Sequence, residues 1–384
     1  MSIRQPVPRF LAMAGVLAVM VLGSATTFAA STTSVTDNNS HQGSLRHIFV
    51  IMLENVSRSA VIGNPNAPFI NQLASSYGQA SQYFGVTHPS EPNYVGAISG
   101  SNWFINDDNP ANRFDHTNLV DQLESNHVSW GAYMDAMPSP GYLGDQWPPN
   151  AGLYVSKHDP FVLFNDIRDN PARLSQVKPY GSLASDLASG RLANFVWISP
   201  DACNDMHGGV YVVVPGHPET PCPYPLSNAS TDPAQVKLVS QGDAFVKQAV
   251  TDIMASRVWR EGQAAIAVVA DEGSFDSSGG SKQNDGWQST AGCCDSPILP
   301  PGYRFLGSNG QPDGNVWPGG SYGGDVVPAI VVTSSGPRAF TTDQPFNHYS
   351  LLRTVEENWN LGYLENASDA AQVHAMNSLF YGSP

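Results

Sequence analysis

The sequence predicts an α/β fold, with a mainly parallel central sheet and helices on both faces. Short apolar runs ended by polar residues recur along the chain and are typical of buried strands. Stretches of helical periodicity alternate with these runs. Strands that alternate with helices indicate a parallel sheet covered by helices.

Each predicted element rests on its own segment. Strands are predicted at residues 47–53, 129–134, 194–198, 263–270 and 326–333. Helices are predicted at residues 67–77, 118–124, 232–256 and 349–361. No linker or internal repeat interrupts the series, so we expect residues 45–384 to form one domain with long loops.

The first residues are typical of a secretory signal. Arg4 and Arg9 precede an apolar run over residues 10–22, and small residues follow up to Ala29-Ala30. A membrane anchor is the alternative, but the run is short for a span of roughly 20 residues. We therefore expect a signal peptide at residues 1–30, a disordered polar segment at 31–44, and a secreted or periplasmic protein without an integral membrane segment after cleavage.

Composition narrows the classes of partner. Charged residues make up 13% of the chain and the net charge is −15, which argues against a nucleic-acid partner and against docking on anionic lipid. The same charge suits a site that concentrates cations. Four cysteines fit an oxidising compartment. Cys203 and Cys222 could close a loop, Cys293 and Cys294 are adjacent, and pairing between the two sets is equally open.

Polar side chains follow three of the predicted strands. In such sheets, ligands bind beyond the carboxyl ends of the strands. Oxygen donors of this kind suit Mg²⁺, Mn²⁺ or Ca²⁺. The residues that this rule places at one edge are Glu54 and Asn55, Asp271 and Glu272, and, in the loop after the third strand, Asp201, Asp205 and His207.

Ser90 lies just ahead of Pro92, which is typical of a first helical turn. Its hydroxyl would point at the free amides of the helix start, where anions bind. A serine here also suits a helix N-cap. Local chemistry alone leaves nucleophile and cap equally open, because a serine nucleophile needs a base or a metal to activate it.

Several motifs together resemble a known family. They are Glu54-Asn55, HPSEPNYVGAISG (88–100), ADEGSFD (270–276) and NHYSLLRTVEENW (347–359), with KHDPF (157–161) and PDACNDMH (200–207) between them. In order and spacing they resemble the bacterial phosphoesterases that include secreted acid phosphatases and phospholipases C. The resemblance covers nearly the whole chain after the signal. It implies an alkaline-phosphatase-like fold and Ser90 as nucleophile.

The resemblance also implies roles for other residues. A divalent metal would be bound by Glu54, Asn55, Asp271 and Glu272 together with the Ser90 oxygen. His158 and His207 would act on the phosphate or the leaving oxygen. Asn112 and Asn93 are expected to contact substrate. His348 is expected there too, with a supporting role or a helix cap as alternatives. The metal's identity stays open.

Two departures from the family pattern bear on the substrate. Residues 56–59 read VSRS where many relatives have an Arg/His-Ser-Phe segment, and residues 275–278 read FDSS where many phospholipases have Asp-His-Val. The second departure, and the short stretch after the last motif, favour a phosphatase acting on small-molecule or lipid phosphate monoesters. A phospholipase C that cleaves diesters is the alternative. A non-catalytic, cation-dependent surface binder is a third reading.

Overall fold

Eight strands form the central sheet of the computed structural model. In chain order they are β1 His47–Leu53, β2 Gly78–Ala80, β3 Trp130–Met134, β4 Val177–Pro179, β5 Phe195–Ser199, β6 Ala264–Ala270, β7 Ala329–Thr333 and β8 Phe340–Thr342. Their order in the sheet is β8-β2-β7-β6-β1-β5-β3-β4. All neighbours run parallel except β7, which is antiparallel to both β6 and β2. The predicted mainly parallel sheet is therefore confirmed.

The structure describes residues 45–190, 192–225, 231–273, 291–306, 312–316 and 320–382. The expected signal peptide at 1–30, the polar segment at 31–44 and the FDSS segment at 275–278 lie outside the described residues.

Six helices of seven residues or more accompany the sheet in the described ranges. They are α1 Pro68–Ser76, α2 Ser90–Ser99, α3 Leu119–Ser125, α4 Ser182–Ser189, α5 Pro233–Ala255 and α6 His348–Trp359. The four predicted helices correspond to α1, α3, α5 and α6, with ends that differ by one or two residues. Shorter helical turns lie at Arg58–Val61, Ser156–His158, Pro160–Leu163, Asn165–Arg168, Pro171–Leu174, Arg257–Arg260, Glu365–Ser368 and Asn377–Phe380.

Capping side chains explain where several helices begin. Asn118 accepts a hydrogen bond from the Val120 amide at the start of α3 (2.9 Å). Asp232 accepts from the amides of Ala234 and Gln235 (2.8 and 3.3 Å) and is followed by a proline at the first helical position of α5. Asn347 caps α6 with a reciprocal capping box.

Small two-stranded ladders and two disulfides complete the described structure. The ladders pair Tyr83–Phe84 with Phe346–Asn347, Gln146–Trp147 with Tyr154–Val155, Ile298–Leu299 with Gly320–Ser321, and Arg304–Leu306 with Pro312–Val316. Cys203 is bonded to Cys222, and Cys293 to Cys294. Among the described helices, none has the length and apolar character that a membrane crossing requires.

The five central strands β7, β6, β1, β5 and β3 bury their side chains on both faces. Such strands must be covered on both sides, which explains why they are continuous apolar runs in the sequence. In the register of β1 and β6, Leu53 lies opposite Ala270. The residues that follow, Glu54 and Asp271, therefore leave the sheet side by side.

Candidate metal centre and active site

Three buried carboxylates converge at the carboxyl edge of β1 and β6. Glu54 and Asp271 are completely buried and Glu272 is 3% exposed. One oxygen from each lies within 4.8 Å of the other two. Three carboxylates packed this closely without solvent repel one another, so the cluster favours a cation in its midst.

Asn55 and Asp271 show which atoms are available to that cation. Asp271 Oδ1 accepts hydrogen bonds from the amides of Asn55 (2.9 Å) and Glu272 (2.6 Å). Asp271 Oδ2 and Asn55 Oδ1 are buried and have no hydrogen-bond partner among the described residues. Asn55 adopts a left-handed φ of 50°, as the chain turns out of β1. Unsatisfied buried oxygens next to carboxylates are what a hard divalent cation requires, so these residues fit a metal.

Ser90 lies beside the same cluster. It is the first residue of α2 and is 2% exposed. Its hydroxyl donates to Glu272 Oε1 at 3.2 Å, instead of pointing at the helix amides as the sequence suggested. The N-cap position belongs to Pro89. The structure thus gives Ser90 a carboxylate contact where a capping serine would have a backbone contact.

His158 and His207 contact the carboxylate cluster through Glu54. His158 Nε2 lies 2.9 Å from Glu54 Oε1, and His207 Nε2 lies 3.6 Å from Glu54 Oε2. One atom each from Glu54, His158 and His207 falls within 4.8 Å of the others, which makes a second candidate ligand group that shares Glu54 with the first. Asp205 Oδ2 approaches His158 Nδ1 (3.3 Å) and fixes the ring from behind.

The charges of these groups depend on one another. Burial opposes the ionisation of Glu54, but the imidazoles of His207 and His158 hold its pKa well below its usual value. Burial, with the charges of Glu54 and Glu272, raises the pKa of Asp271. Burial opposes a charge on His158, but Glu54 and Asp205 raise its pKa to about 9. Burial lowers the pKa of His207 to about 4, against the charge of Glu54, which raises it.

The side chain of Asn112 forms hydrogen bonds next to Ser90, one of them to Glu91. Its amide donates to Glu91 Oε1 (2.7 Å) and to Asp107 Oδ1 (2.9 Å). The structure therefore brings Asn112 to the start of α2 and engages its amide hydrogens with carboxylates. Burial raises the pKa of Glu91 to about 8, against the hydrogen bond from Asn112.

Asn93 holds the loop before Ser90. Its Oδ1 accepts from the amides of Val86 (2.7 Å) and Thr87 (3.1 Å), and its Nδ2 donates to the carbonyls of Thr87 (2.8 Å) and Pro89 (3.1 Å). The side chain is completely buried. Every polar group of Asn93 is thus used by the backbone. A substrate contact at Asn93 therefore stays a prediction, and it would require one of these backbone contacts to be released.

His348 is also held by contacts within the protein. Its Nδ1 meets the Tyr83 hydroxyl at 2.9 Å and its Nε2 meets the Asp271 carbonyl at 2.5 Å. The ring is completely buried, and burial lowers its pKa to about 4. Both ring nitrogens are engaged by protein, so the expected substrate contact stays a prediction that would require one of these contacts to be released. Of the alternatives, the supporting role agrees with the geometry, and the helix cap is Asn347.

Two site residues were not assigned roles from the sequence. His88 Nδ1 lies 2.5 Å from Glu272 Oε2, so the residue two positions before Ser90 contacts the same carboxylate from the other oxygen. Lys157 donates to Asp108 Oδ2 (2.9 Å) and its Nζ lies 3.5 Å from His207 Nε2. His88 lies in the motif HPSEPNYVGAISG and Lys157 in the motif KHDPF, both named above. Their position in these motifs was the feature of the sequence that could have identified them as site residues.

The fold and the site define an α/β protein whose sheet edge carries a serine next to a candidate metal centre of carboxylates and histidines. The chain matches the Phosphoesterase family over residues 64–217 and 226–362, and it belongs to that family. The sequence-based resemblance is confirmed.

Curated relatives match over part of their length. The chain is 33% identical over 166 residues to an acid phosphatase of Aspergillus fumigatus, which covers 41% of this chain and 36% of that protein. It is 32% identical over 202 residues to the phosphatidylinositol-3-phosphatase of Mycobacterium tuberculosis, which covers 52% of this chain and 64% of that protein. The chain thus spans less than two thirds of either relative.

Solved structures are similar at the level of the fold. A Bacteroides thetaiotaomicron protein described with the metabolism of multiple glycosaminoglycans has a TM-score of 0.50 at 13% identity, covering 88% of this chain and 82% of that one. A Vibrio parahaemolyticus protein in the alkaline phosphatase superfamily has a TM-score of 0.46 at 10% identity, covering 84% of this chain and 67% of that one.

Proposed function

We propose that the protein is a metal-dependent phosphatase that hydrolyses phosphate monoesters through a phosphoserine at Ser90. The observation that carries this proposal is the contact between the Ser90 hydroxyl and Glu272 Oε1, at 3.2 Å, within a buried cluster of carboxylates. A serine held in this way has a hydrogen-bond acceptor at its hydroxyl and a site for a cation beside it.

The metal would be bound by Glu54, Asn55, Asp271 and Glu272. Asp271 Oδ2 and Asn55 Oδ1 have no hydrogen-bond partner among the described residues, whereas the oxygens of Glu54 and Glu272 already contact histidines or Ser90. When bound, a divalent ion lowers the pKa of a hydroxyl ligand and offsets negative charge on a phosphoryl group. The donors are oxygen atoms, which suits Mg²⁺, Mn²⁺ or Ca²⁺.

Each of the following residues has a proposed role in the hydrolysis. Glu272 accepts the hydrogen bond of Ser90 and orients Oγ, while Asn93 fixes the loop from which Ser90 projects. The Ser90 hydroxyl passes its proton to Glu272 Oε1, Oγ attacks phosphorus in line, the ester P–O bond breaks, and the leaving oxygen takes up a proton. Of the two histidines, His158 is the one whose pKa is raised, to about 9, so we propose that Nε2 of His158 donates this proton and that His207, which is more exposed (8% against 3%), contacts the leaving group. Water then cleaves the phosphoserine and releases phosphate.

Asn112 is proposed to contact the phosphoryl oxygens only after a rearrangement. Its amide now donates to Glu91 and Asp107, so a substrate phosphate would replace one of these carboxylates. We expect Asn112→Ala to lower turnover about tenfold to a hundredfold, a scale typical of losing one oriented donor.

Monoester substrates are favoured over phospholipid diesters. Four of the curated relatives are named as acid or probable acid phosphatases, and a fifth as a phosphatidylinositol-3-phosphatase. These names support a phosphatase, on either a small-molecule or a lipid phosphate, over a phospholipase C.

The test compares Ser90→Ala with Ser99→Ala, a buried serine at the other end of the same helix whose hydroxyl bonds to the Val95 and Ser101 carbonyls. Substrates are p-nitrophenyl phosphate, its phosphorylcholine diester and phosphatidylinositol phosphates, with and without chelator. We expect Ser90→Ala to lose roughly three or more powers of ten in turnover, and Ser99→Ala to stay within about tenfold of wild type. Mass spectrometry should find phosphate on Ser90. If Ser90→Ala keeps more than about a tenth of the activity, or if no substrate is hydrolysed at all, the proposal is wrong.

A further inference from the structure

A third group of potential metal ligands lies in the loop after β5 and does not include Glu54. One atom each from Asp201, His217 and Glu219 lies within 4.8 Å of the others. Asp201 is 2% exposed, whereas the side chains of His217 and Glu219 are 31% and 14% exposed. The group therefore combines one buried carboxylate with two side chains that an ion can reach from solvent.

The two carboxylate oxygens of Asp201 differ in their hydrogen bonds. Oδ1 accepts the amides of Cys203 (2.9 Å) and Asn204 (3.0 Å), so the carboxylate is locked in orientation. Oδ2 is buried and has no hydrogen-bond partner in the described part of the chain. Leaving a carboxylate oxygen buried and unsatisfied is costly, and a cation would satisfy it.

The surrounding charge also favours a cation. Glu219 Oε1 lies 2.7 Å from His217 Nδ1, so the two exposed members of the group lie side by side. Asp135 adds a third negative charge, its Oδ2 accepting from Asn204 Nδ2 at 2.9 Å.

We propose that Asp201, His217 and Glu219 bind a second divalent cation, distinct from the ion at Glu54. Two carboxylates and one imidazole suit Zn²⁺ or Mn²⁺ better than Ca²⁺ or Mg²⁺, which prefer oxygen ligands alone. The ion fastens the turn that carries His217 and Glu219 to the loop that begins at Asp201.

This ion would also stabilise the active-site side of that loop. The Asp205 amide donates to the Asp201 carbonyl (2.8 Å), and the Asp205 carbonyl accepts from the Glu54 amide (2.8 Å). A fixed Asp201 therefore keeps Asp205 in place behind His158. Its role is positioning, so its loss should disturb catalysis far less than loss of the ion at Glu54.

The test counts bound metal and so stands whether or not the chain hydrolyses phosphate esters. Wild type, Glu219→Gln and His217→Gln are stripped with chelator, dialysed against micromolar ZnCl₂ or MnCl₂, and assayed for metal content by elemental analysis. Glu365→Gln, at an exposed residue, is the control for unspecific carboxylate binding. Circular dichroism checks that each variant is folded, and two separate ligand variants guard against one that fails to fold.

We expect each ligand variant to bind one ion fewer per chain than wild type and to require at least about tenfold more metal to regain it. Glu365→Gln should match wild type. Turnover of Glu219→Gln should stay within about tenfold of wild type. The proposal is overturned if both folded ligand variants bind as much metal as wild type. It is also overturned if Glu219→Gln loses all bound metal together with activity, because the ion lost would then be the one at Glu54.

Discussion

Replacing Asp271 by asparagine should separate two effects of the carboxylate cluster. One is the mutual repulsion that lowers the stability of the metal-free protein, and the other is metal binding. Asparagine keeps Oδ1, so it can still accept the amides of Asn55 and Glu272. The change falls on Oδ2, which has no hydrogen-bond partner in the described ranges. The new NH₂ group there can donate to the carboxylates of Glu54 or Glu272. The substitution therefore removes one charge and one metal ligand with little change in shape.

The expected magnitude follows from the spacing of the charges. The three carboxylate oxygens lie within 4.8 Å of one another, and at an effective dielectric constant of about 20 two unit charges at that outer limit repel by about 3.5 kcal/mol. Without metal, wild type avoids part of this repulsion because Asp271 takes up a proton, as its raised pKa indicates. We therefore expect Asp271→Asn to be more stable than wild type by about 1 to 3 kcal/mol when metal is absent. With metal, one ligand fewer should weaken binding by about 3 kcal/mol, roughly a hundredfold in Kd.

Urea unfolding in chelator and in saturating MnCl₂ measures both effects, with elemental analysis and turnover on the same samples. We expect the order of stability to reverse between the two conditions, and turnover to fall by at least about a hundredfold. Asp243→Asn is the matched control, because Asp243 is also buried and accepts two backbone amides, from Phe69 (3.1 Å) and Ile70 (2.7 Å). A variant that is less stable than wild type in chelator and binds metal within threefold of wild type would refute this account of the cluster.

Three further predictions concern other parts of the chain. Protein recovered from the culture supernatant should begin near Ala30 or Ser31, and recovery of intact Met1 on soluble cytoplasmic protein would contradict export. Removing the Cys203–Cys222 disulfide with a double alanine variant should lower the free energy of unfolding by about 2 to 4 kcal/mol, seen as a lower urea midpoint. Burial raises the pKa of Glu356 from 4.5 to about 7, so the folded state holds its proton longer and stability should fall as pH rises from about 4.5 to 7. Glu356→Gln should remove up to about 1.4 kcal/mol per pH unit of that slope, and an unchanged slope in urea titrations across this range would count against it.

The sequence was informative about strands and about the residues that end them. A continuous apolar run such as residues 263–270 has few alternatives to a buried strand, and β6 is found there. Because β1 and β6 are neighbours in register, the rule about carboxyl ends placed Glu54 and Asp271 together without any knowledge of side-chain geometry. The short strands β2, β4 and β8, three residues each, carry too little periodicity to be predicted from the sequence.

Hydrogen-bond partners could not be predicted in the same way. Asn93 lies in the motif that carries Ser90, so it was grouped with substrate contacts. Its polar atoms instead pair with the backbone of residues 86–89, which depends on how the loop closes. His348 meets Tyr83 and Asp271, which are distant in sequence, so only the folded chain shows its supporting role.

Because β7 runs antiparallel to its neighbours, its two ends should differ in how well they tolerate inserted residues. Because β7 is antiparallel to β6, the end of β7 lies beside the beginning of β6, where Ser334 exchanges hydrogen bonds with Ala264. The segment that enters β7 lies at the opposite edge, where Asp325 accepts from the Ser57 hydroxyl at 2.6 Å, two residues after Asn55. An affinity tag or a fused domain inserted after Thr333 would therefore emerge away from the serine and its carboxylates. The same insertion before Ala329 would stand at the entrance to the site and compete with large substrates for access.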